Sequence, residues 1–219
     1  MGQMINLKAA DGHLLGAFRA EPATKPRGGV VILQEIFGVT GHIRALAEDY
    51  ARHGYVAVAP ALFDRLRPGV ELAYSATGEG RDLVMGLDPA LTLLDIRAAI
   101  DNAAAAGKVA TVGYCWGGAL SYAAACHLPL SAAVCYYGGR IASMLEHTPK
   151  CPTLFHFGER DVHIPLSDVE RIKQAYPVGI YYTYPAEHGF NCTERESFDA
   201  PSARLALDRT LDFLSRHIG

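Results

Sequence analysis

One cysteine lies where its thiol could act as a nucleophile. Cys115 is part of the stretch GYCWGGAL, with Gly113 two residues before it and Gly117 two residues after it. The pattern falls where the apolar run KVATVG meets the small-residue run GGALSYAAA. A strand that turns sharply into a helix at its nucleophile needs small residues at those two positions, because they come close together. The pattern therefore predicts a nucleophile elbow that carries cysteine where serine is more common.

The alternative for Cys115 is a small buried apolar residue, which is what many free cysteines are. A helix N-terminus favours the thiolate form, and the backbone N–H of Trp116 would stabilise an oxyanion formed beside the thiol. The other cysteines have no comparable setting and are predicted to be structural: Cys126, Cys135, Cys151 and Cys192. Because the five cysteines are odd in number and form no C-x-x-C pair, neither a zinc ribbon nor a disulfide framework is expected.

A nucleophilic cysteine needs a base and a group that orients the base. Asp161 follows the run PTLFHFG, and His188 follows the run VGIYYTYP in the loop before the last helix. The chain order of nucleophile, acid and histidine is that of α/β-hydrolases. His156 lies inside a predicted strand and His163 lies too close to Asp161, so both fit this order less well. We therefore predict a triad of Cys115, His188 and Asp161.

The elements that would hold these residues alternate along the chain. Asp11-Gly12 joins two short extended runs, which is a strong hairpin signal. A continuous apolar run predicts a strand buried on both faces at 28–34, and further strands are predicted at 55–59, 108–113, 131–138, 152–158 and 178–184. Helical spacing predicts helices around 43–50, 90–107, 117–128 and 165–176. It also predicts a terminal helix whose apolar face is formed by Leu207, Leu211, Leu214 and Ile218.

A hairpin followed by alternating strands and helices predicts an α/β fold, with a mostly parallel sheet, helices on both faces and an N-terminal β-hairpin. Such sheets bind ligands at the carboxyl ends of their strands, which is where the three predicted triad residues lie. No repeat or linker divides the chain, so residues 1–219 are predicted to form a single domain. Residues 61–88 have weak periodicity and several glycines, and they are predicted to be a partly helical excursion.

Composition argues against several classes of protein. Half of the 219 residues are hydrophobic, and 20 lysines and arginines against 23 acidic residues give a net charge of −3. Neither a nucleic acid nor an anionic membrane surface is therefore an expected partner. No apolar run is long enough to span a membrane, and the first residues lack the features of a signal peptide. We expect a cytoplasmic protein that acts as a monomer.

Five motifs are spread along nearly the whole chain: QEIFGV (34–39), GYCWGGAL (113–120), FHFGERDVHIP (155–165), AEHGF (186–190) and RTLDFL (209–214). Together they resemble the dienelactone hydrolase family, and the combination of QEIFG with GYCxGG is specific to it. The resemblance implies an α/β-hydrolase fold and a Cys-His-Asp triad. It also implies no metal or organic cofactor, and an enol-lactone such as a dienelactone as the substrate.

The same resemblance assigns roles to residues beside the cysteine. In such proteins the glutamate of QEIFG, here Glu35, contacts the catalytic thiol and controls its ionisation. The backbone N–H of the next residue, Ile36, would be the second oxyanion donor beside that of Trp116. A carboxylate at the end of a buried strand is costly to desolvate unless it is paired. A structural ion pair with a nearby arginine is therefore the alternative role for Glu35.

The chain departs from its relatives in the arginines that hold a substrate carboxylate. Family members that cleave dienelactone have one arginine shortly after the catalytic histidine, in a pattern resembling H-S-F-x-R. Here residues 188–192 read HGFNC, and the first arginine is Arg195, which comes too late to match. Arg81 is the candidate for the second arginine, and a solvated surface charge is its alternative. We therefore expect a weaker preference for carboxylate-bearing lactones than in a relative with both arginines.

These residues together predict an ester or lactone hydrolase in which Cys115 attacks the carbonyl carbon and His188 activates water to cleave the thioester. Two alternatives stay open. They are a general carboxylesterase or thioesterase acting on uncharged esters, and a catalytically silent binding module of the same fold. A glutaminase-type amidohydrolase is set aside, because those enzymes use an H-x-E arrangement and Phe190 lies two residues after His188.

Overall fold

One eight-stranded β-sheet runs through the computed structural model, which describes residues 2–219. Its strands are β1 (Gln3–Lys8), β2 (Leu14–Ala20), β3 (Gly28–Leu33), β4 (Tyr55–Pro60), β5 (Val109–Tyr114), β6 (Ala132–Tyr136), β7 (Thr153–Gly158) and β8 (Ile180–Tyr184). Their order across the sheet is β1-β2-β4-β3-β5-β6-β7-β8. β2 pairs antiparallel with β1 and β4, whereas every other neighbouring pair is parallel.

Helices connect the parallel strands and cover both faces of the sheet. They are α1 (Gly41–Arg52), α2 (Thr77–Gly86), α3 (Pro89–Ala103), α4 (Trp116–His127), α5 (Leu166–Ala175) and α6 (Ala200–His217). Alternate residues of a strand point to opposite faces. Val30 and Ile32 of β3 share a core cluster with α1 and α6, whereas Val31 and Leu33 share another with α3. The predicted α/β architecture is confirmed. Within residues 2–219, no helix combines the length and the apolar character needed to cross a membrane.

The N-terminal hairpin is also as predicted. Lys8 pairs with Leu14, and the turn between β1 and β2 closes with a hydrogen bond from the Gly12 N–H to the carbonyl oxygen of Ala9. Gly12 has a φ of +90°, a conformation that glycine adopts without steric cost. The Asp11-Gly12 pair therefore terminates β1 and reverses the chain.

The central strands bring the predicted site residues to one edge of the sheet. Strands β3 to β7 are buried along their whole length, which explains their continuous apolar sequences. Because β3, β5, β7 and β8 are parallel, the residues that follow their carboxyl ends share one side of the molecule. These residues are Glu35 after β3, Cys115 after β5, Asp161 after β7 and His188 after β8.

The excursion between β4 and α3 is more ordered than its weak periodicity suggests. It contains one turn of 3₁₀ helix at Leu62–Arg65 and the helix α2, whose glycines weaken the helical pattern. The Arg65 guanidinium donates hydrogen bonds of 2.6 and 2.7 Å to the carboxylate of Asp95, which is buried in α3. It also donates one of 2.8 Å to Asp11 in the hairpin turn. These contacts fasten the partly helical excursion to α3 and to the hairpin.

The buried face of α6 is wider than the predicted one. Leu214 and Ile218 are buried as predicted, and Leu207 and Leu211 are half-buried and pack against the same core. The face also includes Thr210, whose hydroxyl hydrogen-bonds to side chains of β6 and β7 at 2.7 and 3.0 Å. A buried threonine counts as polar in a hydrophobic pattern, so the periodicity did not include it.

Candidate active site

Cys115 lies between β5 and α4 in a backbone conformation that residues other than glycine rarely adopt. Its φ is 54° and its ψ is −116°, and this sharp turn is the one that a nucleophile elbow requires. A Cβ atom on Gly113 would lie 1.8 Å from the carbonyl oxygen of Gly117. One on Gly117 would lie 2.1 Å from the carbonyl oxygen of Leu33. Neither contact is possible, so the turn requires glycine at both positions.

Three side chains from three loops form a continuous hydrogen-bonded chain. The Nε2 atom of His188 lies 3.1 Å from the Sγ atom of Cys115, and its Nδ1 atom lies 2.7 Å from Oδ2 of Asp161. The other carboxylate oxygen of Asp161 accepts a hydrogen bond of 2.8 Å from the backbone N–H of His163. The structure thus brings together the three residues that the chain order selected, in the order thiol, imidazole, carboxylate.

The protonation of His188 is set by these neighbours. Burial on its own would lower the pKa of the imidazole, but the hydrogen bonds to Asp161 and Cys115 outweigh burial and raise the pKa to about 10. His188 is therefore positively charged near neutral pH. An imidazolium in this place can protonate a leaving group beside the sulfur, which is the task of a general acid.

The competing histidines occupy other places. His156 is buried inside β7, where its ring nitrogens hydrogen-bond to the hydroxyls of Tyr184 and Thr210 at 2.8 and 3.0 Å. Burial lowers the pKa of His156 to about 3, so its imidazole is neutral. His163 packs its ring 5.1 Å from that of His188, measured between centroids, and contacts Asp161 through its backbone. Neither histidine has a hydrogen bond to the Cys115 sulfur.

Glu35 is buried directly after β3 and is paired with an arginine. Its side chain is 1% exposed, and its Oε1 atom lies 3.5 Å from the Nη1 atom of Arg195. Burial raises the pKa of the Glu35 carboxyl, while the charges of Arg195 and His188 oppose this shift. The structure therefore contains the arginine pair that was the alternative for Glu35. The hydrogen bond of Cys115 goes to His188, and none joins the thiol to Glu35.

Arg195 reaches the site although the sequence suggested that it comes too late. The chain folds back after His188, because the N–H of Cys192 donates to the carbonyl oxygen of Gly189 and the N–H of Arg195 donates to that of Cys192. A Cβ atom on Gly189 would lie 2.5 Å from the Arg195 guanidinium. Arg195 does not occupy the place of the arginine in the H-S-F-x-R pattern, but this compact turn brings its guanidinium to Glu35.

The backbone N–H groups of Ile36 and Trp116 are the predicted oxyanion donors. Trp116 is the first residue of α4, so its N–H has no partner within that helix. Ile36 follows Glu35 directly, and its N–H donates no hydrogen bond to any residue in the range 2–219. The indole of Trp116 stacks on Phe63 at 5.4 Å between ring centroids, which anchors the start of α4. Both N–H groups are thus available as oxyanion donors.

Comparison with known proteins agrees with this geometry. Residues 15–218 match the model of the dienelactone hydrolase family. The chain belongs to that family. Like its relatives it has the α/β-hydrolase fold, and it is a hydrolase that acts on ester or lactone bonds of small molecules.

Individual members of the family match over nearly their whole length. Carboxymethylenebutenolidase from Pseudomonas putida is 34% identical over 224 residues, which cover 96% of this chain and 95% of that protein. A candidate dienelactone hydrolase from Klebsiella pneumoniae subsp. pneumoniae, known from its crystal structure, has a TM-score of 0.87 at 28% identity and covers 99% of both chains. A dienelactone hydrolase-like promiscuous phosphotriesterase from metagenomic libraries shares the fold, with a TM-score of 0.75 at 21% identity over 100% of this chain and 99% of its own.

In this dienelactone hydrolase family member, Arg81 lies on α2 and is exposed. It forms no ion pair with any residue in the range 2–219. Burial and the charge of His188 lower the pKa of His163, and the charges of Arg81 and Arg195 add to this shift. Both guanidinium groups therefore act electrostatically on the loop that carries Asp161. The Arg81 side chain itself is exposed and has no acidic partner among residues 2–219.

Tyr137 is a site residue that the sequence did not single out. It follows β6, is fully buried, and its ring lies 5.2 Å from the ring of His188, measured between centroids. The stretch SAAVCYYG reads as a strand that ends in a turn, and nothing in that pattern marks the second tyrosine. Only the neighbouring positions of β5 and β6 in the sheet reveal that this residue lies beside Cys115.

Proposed function

We propose that this member of the family cleaves its substrate through a covalent thioester on Cys115. The sulfur attacks the carbonyl carbon of the ester or lactone, and the N–H groups of Ile36 and Trp116 stabilise the oxyanion. The His188 imidazolium protonates the leaving alkoxide as its C–O bond breaks. Neutral His188 then removes a proton from water, which attacks the thioester and releases Cys115. Asp161 orients the imidazole and stabilises its charge.

The observation that carries this proposal is the distance of 3.1 Å between the Nε2 atom of His188 and the Sγ atom of Cys115. The cysteine lies at an elbow whose backbone has a positive φ. The other thiols differ sharply from this one. Burial raises the pKa of Cys126 and Cys151 to about 11, and neither thiol has a histidine as hydrogen-bond partner. These cysteines are therefore unreactive near neutral pH, and Cys115 is the candidate nucleophile.

A dienelactone-type enol-lactone is the proposed substrate. Relatives that match 95% of their own length are carboxymethylenebutenolidases, and such a lactone carries a carboxylate beside the bond that is cleaved. Arg81 is the residue we propose for that carboxylate, because it is exposed and unpaired near the site. A cytoplasmic location and a monomeric state stay predictions.

A second candidate is an uncharged ester, and one contact favours it. Arg195, the other guanidinium of the site, is 3.5 Å from Glu35, so its charge is largely compensated. A substrate carboxylate would then have Arg81 as its main cation. This favours the expected weaker preference for charged lactones, with general carboxylesters as the alternative substrates.

The proposal is tested by removing each triad group in turn. Cys115→Ala and His188→Ala should lower ester hydrolysis by about 10⁴-fold, and Asp161→Asn should cost less, because it acts through the base. Turnover of dienelactone and of p-nitrophenyl acetate is the measurement. Cys126→Ala is the matched control, since it removes a buried thiol from α4 and should leave turnover unchanged. Retained turnover in Cys115→Ala would rule out this nucleophile.

A further inference from the structure

Tyr137 is held in an unusual conformation against the candidate base. Its φ is 35°, in the left-handed region that large residues seldom adopt. A Cβ atom on Gly118 of α4 would lie 2.6 Å from the carbonyl oxygen of Tyr136 and 2.8 Å from the Cα atom of Gly138. The start of α4 therefore presses on the chain after β6 and fixes its turn. As a result the Tyr137 ring packs against His188 and against Phe190, both at 5.2 Å between centroids.

The hydroxyl of Tyr137 is a buried polar group without a partner. No hydrogen bond joins it to any residue in the range 2–219, and the same holds for both carboxylate oxygens of Glu35. Buried polar atoms in folded proteins are nearly always hydrogen-bonded, so unpaired ones call for a functional explanation. The Tyr137 hydroxyl is a potential donor and the Glu35 carboxylate is a strong acceptor, and neither has a hydrogen bond in this structure.

The sheet places these two residues on either side of the candidate nucleophile. β5, which leads to Cys115, lies between β3, which leads to Glu35, and β6, which leads to Tyr137. Neighbouring strands are about 4.8 Å apart, so β3 and β6 are separated by roughly 10 Å, a gap that a tyrosine and a glutamate side chain can span together. The ring of His188 packs against that of Tyr137, and the charge of His188 acts on Glu35, so the two residues share this neighbour. Burial raises the pKa of Tyr137, and the charge of Glu35 adds to this shift.

We infer that Tyr137 is a positioning residue whose hydroxyl donates a hydrogen bond to a water molecule that in turn donates to the ionised carboxylate of Glu35. The inference deepens the proposed function and rests on it, because it states how the charge beside Cys115 is stabilised. Removal of the hydroxyl should make the carboxylate harder to ionise, since a buried anion loses a donor.

Several other groups face Glu35 and must be held constant. They are Arg195, His188 and Cys192 from the loop after β8, Tyr74 from the segment before α2, and Cys115 at the elbow. Arg195 is the strongest of these, yet its 3.5 Å separation from Oε1 is long for a charged hydrogen bond. An additional donor is therefore needed when Glu35 is ionised.

The test is an infrared titration of the Glu35 carboxyl. The band of the protonated carboxyl is identified by its loss in Glu35→Gln and is followed with pH in the wild type and in Tyr137→Phe. We expect the midpoint to move upward by about one pH unit in Tyr137→Phe, the effect of one hydrogen bond to a charged group. Tyr136→Phe is the matched control. It removes the adjacent hydroxyl, which is bonded to Thr210, and should leave the midpoint unchanged.

A second measurement links the titration to the thiol. The rate of Cys115 alkylation by iodoacetamide should show an inflection that moves with the Glu35 midpoint, and Tyr137→Phe should cause no further shift in a Glu35→Gln background. An unchanged infrared midpoint in Tyr137→Phe would overturn the inference, and so would an unfolded variant, which would make the hydroxyl purely structural. Neither result depends on ester turnover, so the proposed function can fail or stand separately.

Discussion

The two arginines whose charges act on His163, Arg81 and Arg195, differ in how much of their charge is free for a ligand. Arg195 has a side chain that is 22% exposed and lies 3.5 Å from the buried Glu35 carboxylate. Arg81 is exposed and has no acidic partner among residues 2–219. A substrate carboxylate would have to compete with Glu35 for Arg195, whereas Arg81 could bind it without losing another contact. Selectivity for charged lactones should therefore depend on Arg81.

Arg81→Ala is expected to lower kcat/KM for dienelactone by about tenfold and to leave kcat/KM for an uncharged aryl ester unchanged. A guanidinium–carboxylate contact is worth roughly 1.5–3 kcal/mol, and solvent exposure favours the lower end of that range. Arg97→Ala on α3 is the control, because it removes an exposed arginine that pairs with Asp101 within its own helix. If dienelactone is strongly preferred and Arg81→Ala leaves that preference intact, another group holds the carboxylate.

The sequence predicted the triad but missed two of its neighbours. Cys115, Asp161 and His188 could be selected because each follows a recognisable strand in a known chain order. Arg195 could not be selected in this way, because its approach to Glu35 depends on a turn at Gly189, whose φ of +78° brings the chain back towards the site. Tyr137 could not be selected either, since its position depends on the backbone contact between α4 and the chain after β6.

Helix α2 packs against the backbone at Ile36, which carries one of the two proposed oxyanion donors. A Cβ atom on Gly80 would lie 2.4 Å from the carbonyl oxygen of Ile36 and 3.1 Å from its side chain. The helix therefore packs on the backbone that holds the Ile36 N–H. A displacement of α2 would be transmitted to that N–H, and oxyanion donors lose effect when they are misplaced by even small distances.

Gly80→Ala should lower kcat about tenfold or more, because the added methyl group must push α2 away from Ile36. Gly78→Ala is a closely matched control. It lies in the same helix two residues earlier, and a Cβ atom there would contact nothing within 4 Å. That variant should keep its activity and gain about 0.5–1 kcal/mol in stability, since alanine favours a helix over glycine. Equal activity in the two variants would mean that α2 does not position Ile36.

The elements themselves were predictable to different degrees. The buried strands could be located because each is a continuous apolar run, and the hairpin because Asp11-Gly12 marks its turn. The path of residues 61–88 could not be predicted, since it is fixed by Arg65 bonding to Asp95 and Asp11, which are distant in the sequence. The apolar face of α6 could be predicted, but the burial of Thr210 on that face could not, since its hydroxyl is satisfied by side chains of β6 and β7.

The whole molecule buries two neutral histidines away from the site. His156 has a pKa lowered to about 3 by burial, and His42 on α1 has one lowered to about 4 by the same cause. In the unfolded chain both titrate near 6.5, so they stabilise the fold fully above that pH. As the pH falls below 6.5, the unfolded state takes up protons that the folded state cannot. Stability is therefore lost progressively towards pH 4.

His156→Gln should flatten this acid dependence. A histidine that is protonated only in the unfolded chain contributes about 1.4 kcal/mol per pH unit to the slope of the unfolding free energy between pH 6 and pH 4. The variant should lose this contribution to the slope. Urea unfolding at a series of pH values measures the slope, whatever the change in stability at neutral pH. His53→Gln is the control, since His53 is exposed at the end of α1 and should leave the slope as it is. If His156→Gln also leaves the slope unchanged, the network that joins β6, β7 and α6 holds a charged histidine rather than a neutral one.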